Sequence, residues 1–391
     1  QRPLLRGRST PDADNGAGVA MKLCYLADER SEHTRRWLRY FAERGHDVHF
    51  ITWHGAPRYN VPGVHVHPMP SGWGRHCARF ATKAWQVRTL LRRVRPDLLH
   101  AHFVEDCGRL AAFTGFRPLV LTAWGSDIYQ HPFRSRWKFH SIGWALRRAA
   151  LVTCDAVDLR EAAVRLGAAP ERTKIIFHGV DSIVFRPNVA TEAIRRELEL
   201  GEAPVVLSTR WFEPLYNVDT LLACAPQVLR RVPNAVLVLK GIGPEEASLR
   251  AQARELGIAD NVRFVGYLPR HEDLAALYAA AEVFVSVASS DSTPVSLLEA
   301  LASGCAPVVT DLPALREWVT DGVNGRVVPV RDVSALAEAI AELLTQPALR
   351  AAARVRNVEL ARTKGDYARN MAQMERLYEQ LCAQDPGVQT R

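Results

Sequence analysis

What most constrains this chain is a rhythm that runs through it twice. Short apolar runs of strand length alternate with amphipathic helical patterns, and near residue 204 the series starts again. KLCYLAD (22–28) reads as a strand, residues 34–44 as a helix with Trp37, Leu38 and Phe41 on one face, and HDVHFIT (46–52) as the next strand after Gly45 ends the helix. DLLHAHF (97–103), PLVLTAW (118–124), ALVTCDA (150–156) and KIIFHGV (174–180) continue the first series. PVVLSTR (204–210), AVLVLKG (235–241), NVRFVGY (261–267), EVFVSVA (282–288) and APVVTD (306–311) form the second, with helices over 218–231 and 245–256. Apolar strands separated by helices make a parallel sheet covered on both faces. With 391 residues the chain exceeds what one core serves. The expected architecture is α/β, two doubly wound Rossmann-like domains. The divisions are a disordered tail at 1–20, a first domain at 21–190 and a second at 191–365. A last helix within 366–391, with Tyr367, Met371, Met374, Leu377 and Tyr378 in helical register, is expected to pack back on the first domain. A ligand then belongs in the central cleft, beyond the carboxyl ends of the strands.

Composition excludes the other broad classes. A hydrophobic share of 48% with 24% charged residues is inconsistent with a disordered chain, a collagen or a coiled coil. No apolar run is long enough for a transmembrane helix, and residues 1–20 lack the apolar centre of a secretory signal. The 7 cysteines, at 24, 77, 107, 154, 224, 305 and 382, form no C-x-x-C pair, so they read as separate reduced thiols in a cytosolic protein. Charge is polarised. Residues 1–190 hold 29 Lys/Arg against 16 Asp/Glu, and residues 191–391 hold 21 against 26, so a net +8 divides into +13 and −5. The first half is therefore expected to meet something anionic. In residues 75–96, Phe80, Ala84, Val87, Leu91 and Val94 make an apolar helical stripe. Arg75, Arg79 and Lys83 flank it on one side and Arg88, Arg92 and Arg95 on the other. That pattern suits an anionic membrane surface, and equally suits a helix that covers the sheet with solvated arginines around it.

The segment SSDSTPVSLLEALASG (289–304) carries the most chemistry. Pro294 suits the first turn of a helix, with Thr293 as its cap. The backbone N–H groups of 294–297 then form an anion site at the positive end of the helix dipole. Asp291 and Glu299, eight residues apart, offer acids that can accept hydrogen bonds from vicinal sugar hydroxyls. Taken alone, the same spacing describes a capped helix with two solvated acids. Arg210 ends a strand facing the cleft, where its bidentate fork suits a diphosphate or a surface ion pair. GIG (241–243) has Glu246 where a dinucleotide fingerprint needs its third glycine, and reads as a tight turn.

These residues, in this order, resemble glycosyltransferase family four, nucleotide-sugar enzymes of the GT-B fold that retain anomeric configuration. The resemblance runs over residues 21–380, most specifically over 289–311, with supporting matches at STR (208–210), KGIGPE (240–245), NVRFVGYLP (261–269), LTAWGSDIY (121–129) and FHGVDSIVFRP (177–187). It implies that the family's Glu-x7-Glu pair falls on Asp291 and Glu299, with Glu299 on the ribose hydroxyls and Asp291 facing the donor sugar. It implies that the helix start, Thr293, Pro294, Val295, Ser296 and Leu297, holds the diphosphate, chiefly through the backbone of Ser296 and Leu297. Arg210 would neutralise the leaving group, the loop Gly266, Tyr267 and Leu268 would contact the base, and Asp127 would face the reacting sugar.

There are three departures. Asp291 is one methylene shorter than the usual glutamate. The usual lysine after the arginine is missing from RWFEPLYN (210–217), leaving Lys240 or Asn217 as substitutes. The glycine pair after the first strand is replaced by DERSEHT (28–34), from which His33 can point into the cleft or serve the helix start.

The implied activity is metal-independent, retaining transfer of a sugar from a UDP- or GDP-sugar to a glycan or lipid-linked acceptor. No cofactor is expected, since nothing resembles a paired-aspartate metal motif or a pyridoxal lysine. Partners would be the nucleotide sugar, the acceptor and an anionic membrane surface, but no nucleic acid. The expected location is the cytoplasm, including the inner membrane face. A sugar-nucleotide epimerase and a non-catalytic nucleotide-sugar-binding subunit are the alternatives.

Overall fold

The strands form where β-branched and leucine-rich runs can be buried on both sides. In the computed structural model they assemble into two all-parallel sheets. The structure describes residues 19–53, 60–69, 76–268 and 270–384, with the side chains of 76–79 excepted. The first sheet comprises β1 (Lys22–Leu26), β2 (Asp47–Thr52), β3 (Val64–Pro68), β4 (Leu98–His102), β5 (Leu119–Thr122), β6 (Leu151–Cys154) and β7 (Thr173–Ile175), in the order β3-β2-β1-β4-β5-β6-β7. The second comprises β8 (Val205–Ser208), β9 (Val236–Lys240), β10 (Val262–Val265), β11 (Val283–Ser286), β12 (Ala306–Thr310) and β13 (Arg326–Val328), in the order β10-β9-β8-β11-β12-β13. Strand order reverses between β1 and β4 and again between β8 and β11. Such reversals open a crevice at the carboxyl ends of the two strands.

Each sheet is coated on both faces. One face of the first packs Leu26, Leu99, Leu121 and Val152 against helices that include His76–Val94 and Arg136–Arg148. Within His76–Val94, Ala84, Val87 and Leu91 are buried in that core and Phe80 packs on its margin. The stripe read as a membrane-facing feature is therefore occupied by the sheet; Arg75 and the Arg79 side chain lie outside the described residues. Residues 1–18 of the expected tail also lie outside them.

The opposite face buries Leu23, Tyr25 and Phe50 under helix Glu32–Glu43 and the C-terminal helix Tyr367–Gln384. Met371, Met374 and Tyr378 of the latter are fully buried. The Tyr378 hydroxyl lies 2.6 Å from His100 Nδ1 and 3.2 Å from the Tyr25 hydroxyl. His100 Nε2 meets Thr122 Oγ1 at 2.6 Å. The chain reaches that helix by a second crossing between the sheets. There Val180 bridges Asp366, with the Val180 N–H donating to Gly365 O at 2.8 Å and the Tyr367 N–H to Val180 O at 3.0 Å. Gly179, at φ +69°, permits this approach, since a Cβ would lie 2.6 Å from Tyr367 Cα.

Two details differ from expectation. The strand expected over 174–180 ends at Ile175, because its neighbour β6 ends at Cys154. The glycines of GIG have ordinary φ and are set by close approach rather than by a turn: a Cβ on Gly241 would lie 2.2 Å from Arg210 O, and one on Gly243 2.4 Å from Phe212 O.

Candidate active site

Helix Val295–Ser303 starts beyond the carboxyl end of β11, beside the second reversal. Its cap is Pro294, at φ −72° and ψ 133°, rather than Thr293. The Thr293 hydroxyl instead donates to Asp155 O in the first domain and accepts from Trp318 Nε1 at 3.0 Å. Fewer N–H groups are available to an anion than expected. Pro294 has no N–H, and the Leu297 N–H donates to Pro294 O at 3.0 Å. Val295 and Ser296 supply the N–H groups without a backbone acceptor among the described residues, and both side chains are half-buried. Leu297 points into the core.

Arg210, just past β8, reaches across the reversal to this helix. It donates from Nη2 to Asp291 Oδ2 at 2.6 Å and from Nη1 to Ser296 Oγ at 3.1 Å, while its guanidinium lies 4.3 Å from the centre of the Tyr216 ring. Its Nε is buried without a partner among the described residues. The fork is thus fixed at the helix N-terminus with one donor unused, an arrangement suited to an anion. Burial raises the Asp291 carboxyl above the usual range, while the charge of Arg210 pulls it back.

Glu299, one turn into the helix, is also raised by burial, with Arg36, Tyr278 and Lys240 acting to lower it. Burial lowers Lys240, and Glu299 is the charge that opposes this. Lys240 and Glu299 thus oppose each other's desolvation. Asn217 does not fit the role of a phosphate-binding substitute. It is fully buried, and its Nδ2 donates to Val287 O and Ser289 Oγ, both at 2.8 Å. Gly266, Tyr267 and Leu268 follow β10 at the same edge, with Tyr267 exposed and Leu268 leaning on the core.

The first sheet presents the facing wall. His33 follows β1 and stacks on His178 with ring centres 4.6 Å apart, and meets Trp124 edge-on at 5.3 Å. Burial, helped by the charge of Arg36, brings His33 down to about 4, so it is neutral near pH 7. Asp127 is fully buried, accepting from Val104 N at 2.7 Å and Trp124 N at 3.0 Å. Burial raises it to about 6 against those backbone donors. Both of its oxygens therefore hold backbone.

The sequence reading assigned no role to Asp155, His178 and Trp124, which complete this wall, or to Ser292, which meets it from the second domain. Ser292 Oγ donates to Asp155 Oδ2 at 3.0 Å, joining the acidic loop to the first domain. His178 Nε2 lies 3.6 Å from the same Asp155 oxygen. Burial drives Asp155 well up and His178 well down, so both favour their neutral forms. Among the described residues, four buried polar atoms without a partner lie here: His33 Nδ1, His178 Nδ1, Trp124 Nε1 and Asp155 Oδ1. Each of these last three residues follows a carboxyl strand end, of β5, β6 or β7, which is the signal that marked them. His271, at a helix start of the second domain, spans the cleft mouth with Nε2 3.2 Å from Arg35. Orphaned hydrogen-bonding groups at a domain cleft are the complement of a polyhydroxylated ligand.

Comparison with known proteins identifies the family and the fold. The family model for glycosyl transferases group 1 matches residues 190–359, and that for glycosyl transferase 4-like proteins matches residues 22–156. A GDP-mannose-dependent alpha-(1-6)-phosphatidylinositol monomannoside mannosyltransferase of Mycobacterium tuberculosis is 36% identical over 174 residues, covering 42% of this chain. That match spans 45% of the relative's own length. A phosphatidyl-myo-inositol mannosyltransferase of Mycolicibacterium smegmatis is 32% identical over 383 residues, covering 98% of this chain and 82% of the relative. Among solved structures, a sucrose-phosphate synthase from Thermosynechococcus elongatus superposes with a TM-score of 0.79 at 21% identity, covering 93% of this chain and 99% of that one. With two parallel sheets meeting at a cleft and both family models satisfied in order, the chain belongs to the group 1 glycosyltransferases of family four and has their GT-B fold.

Proposed function

We propose that this protein is a metal-independent, retaining glycosyltransferase that moves a sugar from a GDP- or UDP-sugar to a hydroxyl of a glycolipid acceptor. The observation that carries the reading is Arg210, held between Asp291 and Ser296 at the start of helix Val295–Ser303 with its Nε unpartnered among the described residues. As the bond from the anomeric carbon to the phosphate oxygen breaks, negative charge grows on the diphosphate. Arg210 and the N–H groups of Val295 and Ser296 stabilise it there, where preorganised donors act most strongly. The acceptor oxygen attaches on the face the phosphate leaves, and its proton passes to the departing phosphate oxygen. Glu299 holds the ribose. The wall of His33, Trp124, Asp155 and His178 binds hydroxyls of the donor sugar and acceptor in neutral form. GDP-mannose and an inositol-containing lipid head the candidates, because the relatives named above act on such substrates. Peripheral contact with a membrane accords with an acceptor of that kind; among the described residues no helix is long and apolar enough to cross one.

The test is a panel of GDP- and UDP-sugars incubated with phosphatidylinositol and a chelator. Product mass and the configuration at the new linkage are then read. Transfer with retained configuration in the chelator is expected. Inverted configuration, a strict metal requirement, or donor epimerised without an acceptor would overturn the reading.

A further inference from the structure

Helix His76–Val94 gives its apolar stripe to the core, yet the first domain carries an exposed aromatic face elsewhere. Phe133 is 69% exposed, Trp137 65% and Phe139 38%. The rings of Phe133 and Phe139 are 6.1 Å apart, and Trp137 lies over the Arg109 guanidinium at 4.7 Å. Three large aromatics exposed within seven residues are more than a soluble surface ordinarily carries. The segment around them, residues 131–148, holds five Lys/Arg and no Asp or Glu. Lys138 and His131 engage Glu105, and the exposed Asp106 lies 4.0 Å from Arg109. Arg134 and Arg136 have no acidic partner among the described residues and are exposed.

We propose that this face seats the protein on an anionic lipid bilayer, with Phe133, Trp137 and Phe139 entering the headgroup boundary and Arg134 and Arg136 meeting lipid phosphates. Aromatic side chains projecting among cations of one sign match an interface that is apolar at one depth and negative at another. A protein partner of ordinary composition would leave such cations without matched acids. The position serves the site. The segment follows the short helix Ser126–Tyr129, which carries Asp127, at the carboxyl edge of β5, so a lipid headgroup entering there arrives beside the cleft. Each basic group within reach of an anionic leaflet strengthens binding about five-fold. The proposal rests on the glycolipid-acceptor reading for its purpose, but not for its test.

The test is sedimentation of the full chain, without nucleotide sugar, using vesicles of phosphatidylcholine alone or of equal parts phosphatidylcholine and phosphatidylglycerol. Binding is expected to the second only, and to fall with salt. Changing Phe133, Trp137 and Phe139 together to Ser should weaken it at least about ten-fold, and Arg134→Gln with Arg136→Gln should weaken it by about twenty-fold at low salt. Thermal stabilisation by GDP or UDP should be unchanged in both, which also shows that they fold. Equal binding to neutral vesicles, or wild-type binding by both variants, would overturn the proposal. So would variants that only turn a dimer into a monomer. Vesicle binding without transfer to lipid would leave this face standing and remove the acceptor reading. Transfer to lipid in detergent by a protein that ignores vesicles would do the reverse.

Discussion

Arg210 and Glu299 stand on different elements, and under the proposed function they serve different parts of the donor, so their substitutions should separate. Glu299→Ala removes a half-buried acid that interacts with the charge of Lys240 and with Tyr278. A charged hydrogen bond contributes about 1.5–3 kcal/mol, so nucleotide affinity should weaken roughly 10- to 150-fold by calorimetry. Arg210→Ala should lower kcat by about 100-fold or more while nucleotide affinity changes less, because its charge matters most as the diphosphate departs. Equal losses in affinity and turnover would place Arg210 in ground-state binding instead. At this scale the sequence was most legible along 289–304, where a helix starts after a buried strand. It was least legible for Asp155 and His178. Their meaning comes from two strand ends that lie 23 residues apart in sequence and from the Ser292 hydroxyl of the other domain. Asn217 misled for the converse reason: a polar residue near the right place proved to be engaged in tying its own loop to the one after β11, through Val287 O and Ser289 Oγ.

Elements explain why the site residues stay in place. The loops after β8 and β9 touch through glycine. The Phe212 N–H donates to Ile242 O at 3.1 Å and the Glu245 N–H to Phe212 O at 3.0 Å. Gly241→Ala would push its methyl against the Arg210 carbonyl, an overpacking that costs about 1–3 kcal/mol and shifts Arg210 itself. Its unfolding midpoint should fall together with kcat, whereas Gly257→Ala, facing open space, should leave kcat alone. His100 ties β4 to the C-terminal helix, and burial takes it from an ordinary 6.5 down to about 3. The unfolded chain therefore binds this proton more readily than the folded one. Its stabilising effect is complete above pH 6.5 and is lost as pH falls from there toward about 3. Comparing denaturation of His100→Gln with wild type between pH 6 and pH 4, the wild-type slope should be steeper by about one proton, ~1.4 kcal/mol per pH unit. Identical slopes would show that another group carries the acid sensitivity. Central strands were legible because burial on both faces makes them continuous apolar runs. β3, VHVHP, was missed because it is an edge strand with only partial burial, and β13 because it is three residues long.

For the whole molecule, two crossings join the halves, one leaving the first sheet after β7 and one returning before Tyr367–Gln384. The acidic loop adds a direct tie through Ser292 and Asp155. Deleting residues 367–391 would uncover Tyr25 and Phe41 and leave His100 Nδ1 without the Tyr378 hydroxyl. Limited proteolysis should then digest the first domain while fragments of the second persist, and unchanged resistance across the chain would contradict this.

That returning helix also sets an order of events on the ribosome. The second sheet is complete in sequence by Val328, whereas the first lacks Met371, Met374 and Tyr378 until the helix Tyr367–Gln384 has been made. At about 5–20 residues per second, the first half waits roughly 10–40 s for its final piece. The half made first is finished last. Throughout that interval its open face, centred on Tyr25 and Phe41, is what a nascent-chain chaperone would meet.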